Sequence, residues 1–341
     1  MSALPVMEEP MTSPAIEGVT LRPFAGDSDL RAFVAIATAA NQADRVEERP
    51  TLEGLRNWVS HPSRTFVAER DVVVASADGE PIGYGWTMWV DSTDGVRDYA
   101  TRGYVHPDWR RRGVATAILR RNEAHLRALA AGHDTDRPRM FTGFAPERRP
   151  GAVALLEANG YSPVRYFFDM VRRTLDDIEV PDLPEGIEVR PVSGRQQLRQ
   201  LFDADVEAFL DHWGGFDATD AAFEQWFTDP DYDPSLFVVA WDGDEIAGAV
   251  TNVIMAQENE ELGRKRGLLD SVFVRRQWRG RGLGSALVAR SLALLKERGM
   301  TSATLGVDAD NPLGALRLYE KSGFAVDTRG AAYRKPMEEN R

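Results

Sequence analysis

Short apolar runs alternate with amphipathic segments along the chain. In the second half, Leu236–Trp241 is rich in β-branched and aromatic residues and ends at an Asp-Gly turn, which predicts a strand. Glu245–Met255 is its predicted hairpin partner, and Gly267–Val274 is predicted to be a further strand. Apolar residues at helical spacing predict a helix over Gly284–Arg298, followed by a strand at Ser302–Val307. This order predicts an α/β or α+β fold, with helices on the faces of one sheet.

A last helix is expected after this strand. Asn311 is suited to the N-cap position, Pro312 to the first helical position, and Gly323 to the C-terminal stop.

The same patterns occur twice in the same order. Four pairs of segments match at nearly constant separations: Gly18–Pro23 with Gly186–Pro191, Asp78-Gly79 with Asp242-Gly243, Val105–Ala115 with Val274–Gly284, and Leu155–Tyr161 with Leu318–Phe324. Such repetition indicates two copies of one domain. We expect a flexible tail over residues 1–17, a first domain over 18–174, an acidic, proline-containing linker over 175–185, and a second domain over 186–341.

Composition and charge exclude several classes of protein. The 341 residues contain no cysteine, which rules out disulfides, a thiolate nucleophile and cysteine-based metal sites. The five histidines show no paired spacing, so no metal site is expected. A net charge of −12 disfavours nucleic acid as a partner. With no apolar run near the roughly 18 residues that span a bilayer and no targeting signal, we expect a cytoplasmic protein without a membrane partner, either a monomer or a homodimer.

The joint between the strand ending at Val274 and the following helix has the composition of an anion site. Glycines stand at positions 280, 282 and 284, where the backbone can approach a ligand closely, and four arginines surround them. A helix N-terminus adds unpaired amide groups. The spacing fits neither a P-loop nor a dinucleotide fingerprint. It fits Arg/Gln-x-x-Gly-x-Gly/Ala, which occurs at Arg279 and again at Arg110.

With this motif the sequence resembles the Gcn5-related N-acetyltransferases, the GNAT superfamily, in a tandem two-domain form. The resemblance extends from Gly18 to about Lys335 and includes the Asp310-Asn311, Leu318-Tyr319 and Gly323-Phe324 pairs. It implies that each copy forms a mixed, centrally splayed β-sheet flanked by helices. It also implies direct transfer of an acetyl group from acetyl-CoA, without a metal.

The resemblance assigns the loop to the pyrophosphate of acetyl-CoA and the strand before it to the thioester arm. The residues expected to hold acetyl-CoA are Val272, Phe273, Val274, Arg279, Gly280, Arg281, Gly282, Leu283, Gly284, Ser285 and Asn311 in the second copy, and Val105, Arg110, Arg111, Arg112, Gly113, Val114 and Ala115 in the first. Backbone N–H groups of Val272–Val274 are expected to polarise the thioester carbonyl.

Tyr319 and Asp270 are the candidate catalytic residues. The resemblance places Tyr319 beside the CoA sulfur, where a phenol can give a proton to the departing thiolate; a core tyrosine is the alternative. Period-two alternation would put Asp270 on the same side of its strand as Val272 and Val274, where a carboxylate could accept the proton of the amine. A solvated acid at the strand edge is the alternative there.

The first copy lacks these groups. Leu156 stands opposite Tyr319, Arg148 opposite Asn311, and Thr101 opposite Asp270, whereas the arginine-glycine loop is intact. We therefore expect a catalytically degenerate first copy that binds CoA weakly or only structurally.

The leading hypothesis is an N-acetyltransferase for a small-molecule primary amine, with the chemistry in the second copy. Acceptor contacts are expected from Asp211–Phe216 and Phe223–Phe227, with helix packing and interdomain contact as the alternative role of their aromatic residues and His212 in a structural role. A protein N-acetyltransferase and a non-catalytic acyl-CoA sensor remain alternatives. So do the mycothiol synthases, tandem family members that acetylate a cysteinyl pseudodisaccharide, although Leu268 stands where that group has an acid.

Overall fold

The computed structural model describes residues 16–215, 217–311 and 314–338. The first half contains β1 (Val19–Pro23), α1 (Asp27–Asp44), α2 (Leu52–Ser60), α3 (Ala68–Asp71), β2 (Val72–Ala77), β3 (Glu80–Asp91), β4 (Arg97–Val105), α4 (Val114–Ala131), β5 (Arg139–Pro146), α5 (Pro150–Ala158) and β6 (Ser162–Arg172). The second half contains β7 (Ile187–Val189), α6 (Gly194–Phe209), α7 (Asp220–Phe227), β8 (Val238–Asp242), β9 (Glu245–Val253), α8 (Ala256–Glu261), β10 (Arg266–Val274), α9 (Leu283–Glu297), β11 (Ser302–Asp308), α10 (Ala315–Lys321) and β12 (Ala325–Pro336).

Each half runs through the same order of main elements, as the repeated sequence patterns predict. β4, α4 and β5 in the first half correspond to β10, α9 and β11 in the second. The predicted helix and strands of the second half lie within a few residues of their observed bounds. The α/β architecture is confirmed.

The strands form one continuous sheet of twelve, in the order β1-β2-β3-β4-β5-β12-β6-β11-β10-β9-β8-β7. This order exchanges the last strand of each half. β6 pairs with β11 of the second half, β12 pairs with β5 of the first, and the two exchanged strands pair with each other at the centre. The two halves are therefore related by a pseudo-two-fold axis between β12 and β6, and each sheet is completed by the other half.

Each half of the sheet splays where a parallel pair of strands separates. β10 pairs with β11 only over Arg266–Leu268, although β10 continues to Val274 and β11 to Asp308. In the first half, β4 pairs with β5 only over Arg97–Ala100. The expected central splay is confirmed, and it leaves one edge of each central strand without a strand neighbour.

Helices cover both faces of the second half of the sheet. α9 presents Leu287, Leu292 and Leu295 to one face, where they form a core with the apolar side chains of β10 and β11. α6 covers the opposite face with Leu198 and Leu201. Full burial of such side chains contributes about 1.5–3 kcal/mol each and fixes both helices relative to β10. Among the described residues, no helix combines the length and the apolar character that a membrane crossing requires.

The start of the last helix differs from the sequence prediction, and part of the predicted tail lies outside the described residues. The expected N-cap at Asn311 is wrong, because α10 begins at Ala315 with Gly314, at φ +74°, in the N-cap position. Pro312 lies outside the described residues, as do residues 1–15 of the expected flexible tail. Ile16, at the end of that tail, packs against the apolar cluster under β1 and α4.

Candidate active site

The loop between β10 and α9 forms an open cradle. Gly280 and Gly282 adopt φ of +74° and +86°, a region that L side chains rarely occupy, and Gly282 caps α9. A Cβ added at either glycine would meet no described atom within 4 Å. The first amide to donate within the helix is that of Ala286, to the Gly282 carbonyl at 3.2 Å. The amides of residues 283–285 therefore have no intrahelical acceptor and can bind an anion.

Arg279 holds this loop in place from inside the protein. Its Nε donates to the Val274 carbonyl at 2.8 Å, and its Nη1 donates to Asp211 Oδ2 at 2.6 Å. Arg276 also binds Asp211, and the two guanidinium groups hold the pKa of that carboxyl well below its usual range. Arg281 is exposed and forms no ion pair with the described residues. Of the predicted arginines, Arg279 shapes the loop and Arg281 is free to meet a ligand.

The free edge of β10 runs directly into the cradle. Arg275 donates its amide to Ala247 of β9, and in an antiparallel ladder the backbone groups of alternate residues point to opposite edges. Val272 and Val274 therefore direct their amides toward the cleft between β10 and β11. Phe273 instead points its backbone toward β9, and its side chain is buried in the core under α6.

A β-bulge at Asp270 shifts the alternation of side chains between the two faces of β10. Pairing with β9 is regular up to Leu269 and resumes one residue out of register at Ser271. Leu269 and Val272 both pack on the α9 side, whereas Asp270 and Ser271 line a cavity on the α6 side. The expectation that Asp270 shares a face with Val272 and Val274 is wrong, because the extra residue of the bulge breaks the period of two.

The cavity on the α6 side has a volume of about 330 Å³. Its walls combine aromatic side chains with two carboxylates; the lining residues are Leu201, Phe202, Asp205, Phe209, Trp226, Tyr232, Thr251, Asp270 and Ser271. It begins at the bulge, two residues and therefore about 7 Å from Val272 along the strand. An apolar cavity with a few polar groups has the character of a small-molecule site.

Asp205 is the residue of this cavity that the sequence did not single out. It lies on α6, and Ser271 Oγ donates to its Oδ1 at 2.6 Å. Burial raises the pKa of Asp205 to about 7; the Ser271 hydrogen bond opposes this shift and the charge of Asp270 adds to it. Asp270 lines the cavity but remains exposed, as the alternative of a solvated acid expects; the protein atoms around its carboxyl raise its pKa, and a hydrogen bond from the Tyr232 hydroxyl opposes that shift.

Tyr319 lies on α10, beside the cradle. The preceding residue, Leu318, approaches within 3.5 Å of the position that a Cβ on Gly284 would take. Tyr319 is 6% exposed, packs edge-on against Phe324, and its hydroxyl makes no hydrogen bond with the described residues. Burial raises the pKa of Tyr319 to about 12, so the phenol is protonated at neutral pH.

Asn311 follows β11 in a turn, where its amide donates to the Asp308 carbonyl at 3.1 Å. This turn is anchored by the exchanged strand: both terminal oxygens of Asp308 accept hydrogen bonds of 2.8 Å from Arg165 of β6. The first half therefore supplies the support for a predicted cofactor residue of the second half.

The predicted loop of the first half has a backbone similar to that of the second, but a side chain covers it. Arg110 binds Asp44 and the Ala40 carbonyl, as Arg279 binds Asp211 and the Ala208 carbonyl. Gly113 caps α4 at φ +88°, but a Cβ there would lie 3.4 Å from Ile16, which covers the loop. The other predicted residues surround this cap: Val105 ends β4, Arg111 has φ +62°, Arg112 lies over the Trp109 ring, and Val114 and Ala115 begin α4.

Side chains fill the spaces that are open in the second half. Leu156, opposite Tyr319, lies only 2.8 Å from the position of a Cβ on Gly143. A Cβ on the corresponding Gly306 would meet no described atom within 4 Å. β4 has no bulge, and Thr101 accepts a hydrogen bond of 3.0 Å from buried Asn122. The region that corresponds to the cavity holds stacked aromatic rings, contributed by Phe33, Tyr84, Trp86 and Tyr104.

The acceptor contacts predicted on the helical segment of the second half separate into two groups. Trp226 lines the cavity. Asp211 binds the loop arginines instead, and Trp213 donates to Asp94 of the first half at 2.8 Å. His212 packs on Phe209, and burial lowers its pKa. Phe216 lies outside the described residues. Among the described residues, no group of three or more metal-ligating side chains occurs.

Comparison with known proteins agrees with this geometry. Residues 197–324 match the model of the acetyltransferase (GNAT) family, and residues 62–163 match an acetyltransferase (GNAT) domain. The chain is 30% identical over 309 residues to a mycothiol acetyltransferase of Geodermatophilus obscurus, a match that covers 89% of this chain and 93% of that protein.

Two solved structures share the fold. A GCN5-related N-acetyltransferase from Sphaerobacter thermophilus superimposes with a TM-score of 0.69 at 27% identity, covering 95% of this chain and 98% of the other. A tandem GNAT protein from the clavulanic acid biosynthesis pathway gives 0.68 at 17% identity, covering 95% and 100%, a likeness of fold.

The fold and the site thus define an acyl-transferring enzyme built from two related halves. The chain belongs to the GNAT family and is an acetyltransferase, as the sequence motifs indicated.

Proposed function

We propose that this protein is an acetyl-CoA-dependent N-acetyltransferase that acetylates the primary amine of a small molecule, with the chemistry in its second half. The observation that carries the proposal is the cavity of about 330 Å³, which begins at the bulge of β10 beside the open strand edge. In the first half, the corresponding space is occupied by side chains.

The residues of the second half fit acetyl-CoA. The glycine cradle offers unpaired amides and space for a diphosphate, with exposed Arg281 beside it. The Val272 and Val274 amides face the cleft, and the Val272 amide is the proposed donor to the thioester carbonyl. Asn311 is the proposed contact to the CoA arm. When bound, acetyl-CoA supplies the activated acetyl group.

The cavity fits an amine that carries an apolar body. The four aromatic side chains provide apolar surface, and Asp205 and Asp270 provide negative charge. Neither carboxylate forms an ion pair with a described residue, so an ammonium group of the acceptor would be their partner. We propose that these carboxylates bind the acceptor as its cation and remove its proton.

Tyr319 is the proposed acid for the departing thiolate. Its raised pKa keeps the phenol protonated, and its hydroxyl is not committed to another described residue. A phenolate formed in this way is strongly basic in its buried site, so it would recover a proton rapidly.

The test is release of thiol from acetyl-CoA over a panel of primary amines, followed with a thiol-reactive dye. Because the chain has no cysteine, the protein contributes no background. Tyr319→Phe should lower kcat by about 100-fold or more, since general acids contribute at least this much. Tyr333→Phe, at a buried tyrosine of β12, is the matched control and should leave kcat unchanged.

Two results would contradict the proposal. Near-normal turnover by Tyr319→Phe would remove the tyrosine from the mechanism. CoA binding without turnover of any amine would favour the acyl-CoA sensor instead.

A second candidate acceptor is the cysteinyl pseudodisaccharide of mycothiol synthesis. Similarity to a mycothiol acetyltransferase over nearly the whole of both chains favours it, and aromatic walls also suit the face of a sugar. Because this acceptor carries its own thiol, its turnover is measured as amide product by mass spectrometry. A kcat/KM at least tenfold higher than for any simple amine in the panel would establish it. Equal values would leave the simple amine as the better assignment.

A further inference from the structure

Asp205 and Asp270 enter the same cavity from different elements. Asp205 extends from α6, whereas the bulge of β10 turns Asp270 and Ser271 together toward α6. Asp205 accepts a hydrogen bond on Oδ1 from Ser271, and no described residue donates to its Oδ2. Asp270 accepts a hydrogen bond on Oδ2 from Tyr232.

The two carboxylates therefore differ in their affinity for a proton. The Tyr232 hydroxyl stabilises the ionised form of Asp270, and burial together with that negative charge raises the pKa of Tyr232 well above its ordinary value, so Tyr232 continues to donate. Asp205 lies beside the resulting negative charge of Asp270, which favours its protonated form. The charged or titratable groups around Asp205 are Asp270 on β10 and Tyr232 in the segment after α7, and the charge of Asp229 acts on both of these neighbours.

We propose that Asp205 is the general base that takes the proton of the acceptor ammonium, while Asp270 holds the cation in place. This inference rests on the proposed function and names its acceptor class, a primary amine that enters as a cation. Paired groups whose surroundings drive their proton affinities apart commonly divide such roles. A pKa of about 7 for Asp205 suits proton exchange near neutral pH.

The first half lacks both groups at the equivalent positions. The shared contacts of Arg110 with Ala40 and of Arg279 with Ala208 align α1 with α6, and this alignment places Ala37 opposite Asp205. Ala37 is buried in the apolar core. Thr101 stands opposite Asp270 on an unbulged strand. The carboxylate pair accordingly occurs together with the open cavity and not with the filled one.

The proton balance is complete with the groups named. The ammonium nitrogen loses one proton to Asp205, which later releases it to solvent. As the C–N bond forms and the C–S bond breaks, Tyr319 gives its proton to the thiolate, the nitrogen releases its second proton to water, and the resulting phenolate takes one proton back from water. The net reaction converts ammonium and acetyl-CoA into amide, CoA thiol and one released proton.

The experiment compares three Asp→Asn variants with acetyl-CoA and 2-phenylethylamine as the probe amine. Asp205→Asn should lower kcat about 100-fold and abolish the fall in kcat/KM as the pH decreases through about 7. Asp270→Asn should mainly raise KM for the amine. Asp203→Asn, on the exposed face of α6 two residues away, is the matched control and should behave as the wild type. The melting temperature and the CoA affinity of all three variants should equal those of the wild type.

A second variant separates a base from a merely structural residue. Asp205→Ala leaves space for a small carboxylate, and added formate should raise the kcat of this variant at least tenfold. Formate should not raise the kcat of Asp270→Ala. An unchanged pH profile in Asp205→Asn, or the absence of rescue, would overturn the assignment of Asp205 while wild-type turnover upholds the proposed function. A wild-type protein that never acetylates an amine would overturn both.

Discussion

The two halves of this acetyltransferase share a backbone fold and differ in the side chains that line the cleft and the cavity region. In the second half, no described side chain fills the cleft beside β10 at Gly306, and the α6 side holds a cavity with two carboxylates. In the first half, Leu156 fills the cleft and stacked aromatic rings occupy the region of the cavity.

The strand register shows how the rings displace the cavity. Tyr84 pairs with Tyr104 on β3 and β4, and the equivalent pair on β9 and β10 is Ala249 with Phe273. The glycine loop itself is retained in both halves, with Gly113 and Gly282 at nearly the same φ. Side-chain volume alone can therefore close a cleft while the backbone of the neighbouring glycine loop is retained.

The strongest test of this comparison replaces the two capping glycines by alanine. Both have a positive φ, so each substitution should cost about 1 kcal/mol of stability. Gly282→Ala places a methyl group in the open cradle and should weaken CoA binding about 10- to 100-fold, equivalent to losing charge-assisted hydrogen bonds. Calorimetry with CoA measures this.

Gly113→Ala is the matched control, and it should leave CoA affinity unchanged because Ile16 covers that loop. An equal loss of affinity in Gly113→Ala would mean that the first half is itself a CoA site.

A second test fills the cavity in the manner of the first half. Leu201 lines the cavity at the position where α1 carries Phe33, whose ring stacks on Tyr84 at 3.9 Å. Leu201→Phe should raise KM for the acceptor amine about tenfold and leave CoA affinity unchanged, at a stability cost of about 1–3 kcal/mol if the added ring is overpacked. Steady-state kinetics with both substrates varied would show it. Unchanged amine kinetics would place the acceptor outside this cavity.

The smallest expected effect concerns the support that the first half gives to the acceptor cavity. Asn57 of α2 donates to the Gln225 carbonyl at 2.8 Å and accepts from Thr228, and these residues flank Trp226 of the cavity wall. Asn57→Ala removes the side-chain donor of the Gln225 carbonyl and one of the two acceptors of the Thr228 hydroxyl, which retains the Glu224 carbonyl. KM for the amine should therefore rise about threefold with kcat unchanged. Asn159→Ala, whose hydrogen bond stays within the first half, is the control. An effect on kcat alone would argue for a role other than support of the wall.

The sequence predicted those parts of the molecule that depend on local pattern. The repeated motifs identified the family, the glycine loop and the main strands and helices, because turn residues and apolar periodicity are local signals. It misplaced Asp270, since a bulge depends on the register of the neighbouring strand. It did not single out Asp205, which acquires its chemistry from Ser271 and Asp270, more than sixty residues away.

Other differences arise from long-range pairing. The sequence motif predicts that Arg279 binds the pyrophosphate, whereas in the structure its guanidinium binds Asp211, a residue distant in sequence. The exchange of β6 and β12 leaves no local mark, because an exchanged strand and an unexchanged one present the same alternation of residues.

That exchange ties the fate of the two halves together. A proteolytic cut or an early stop codon that removed either half would also remove the strand that pairs with β5 or β11 of the other half. The unpaired strand edge left behind would promote aggregation. The first half is thus indispensable as a scaffold for the second, and we expect damage to it to abolish activity through misfolding.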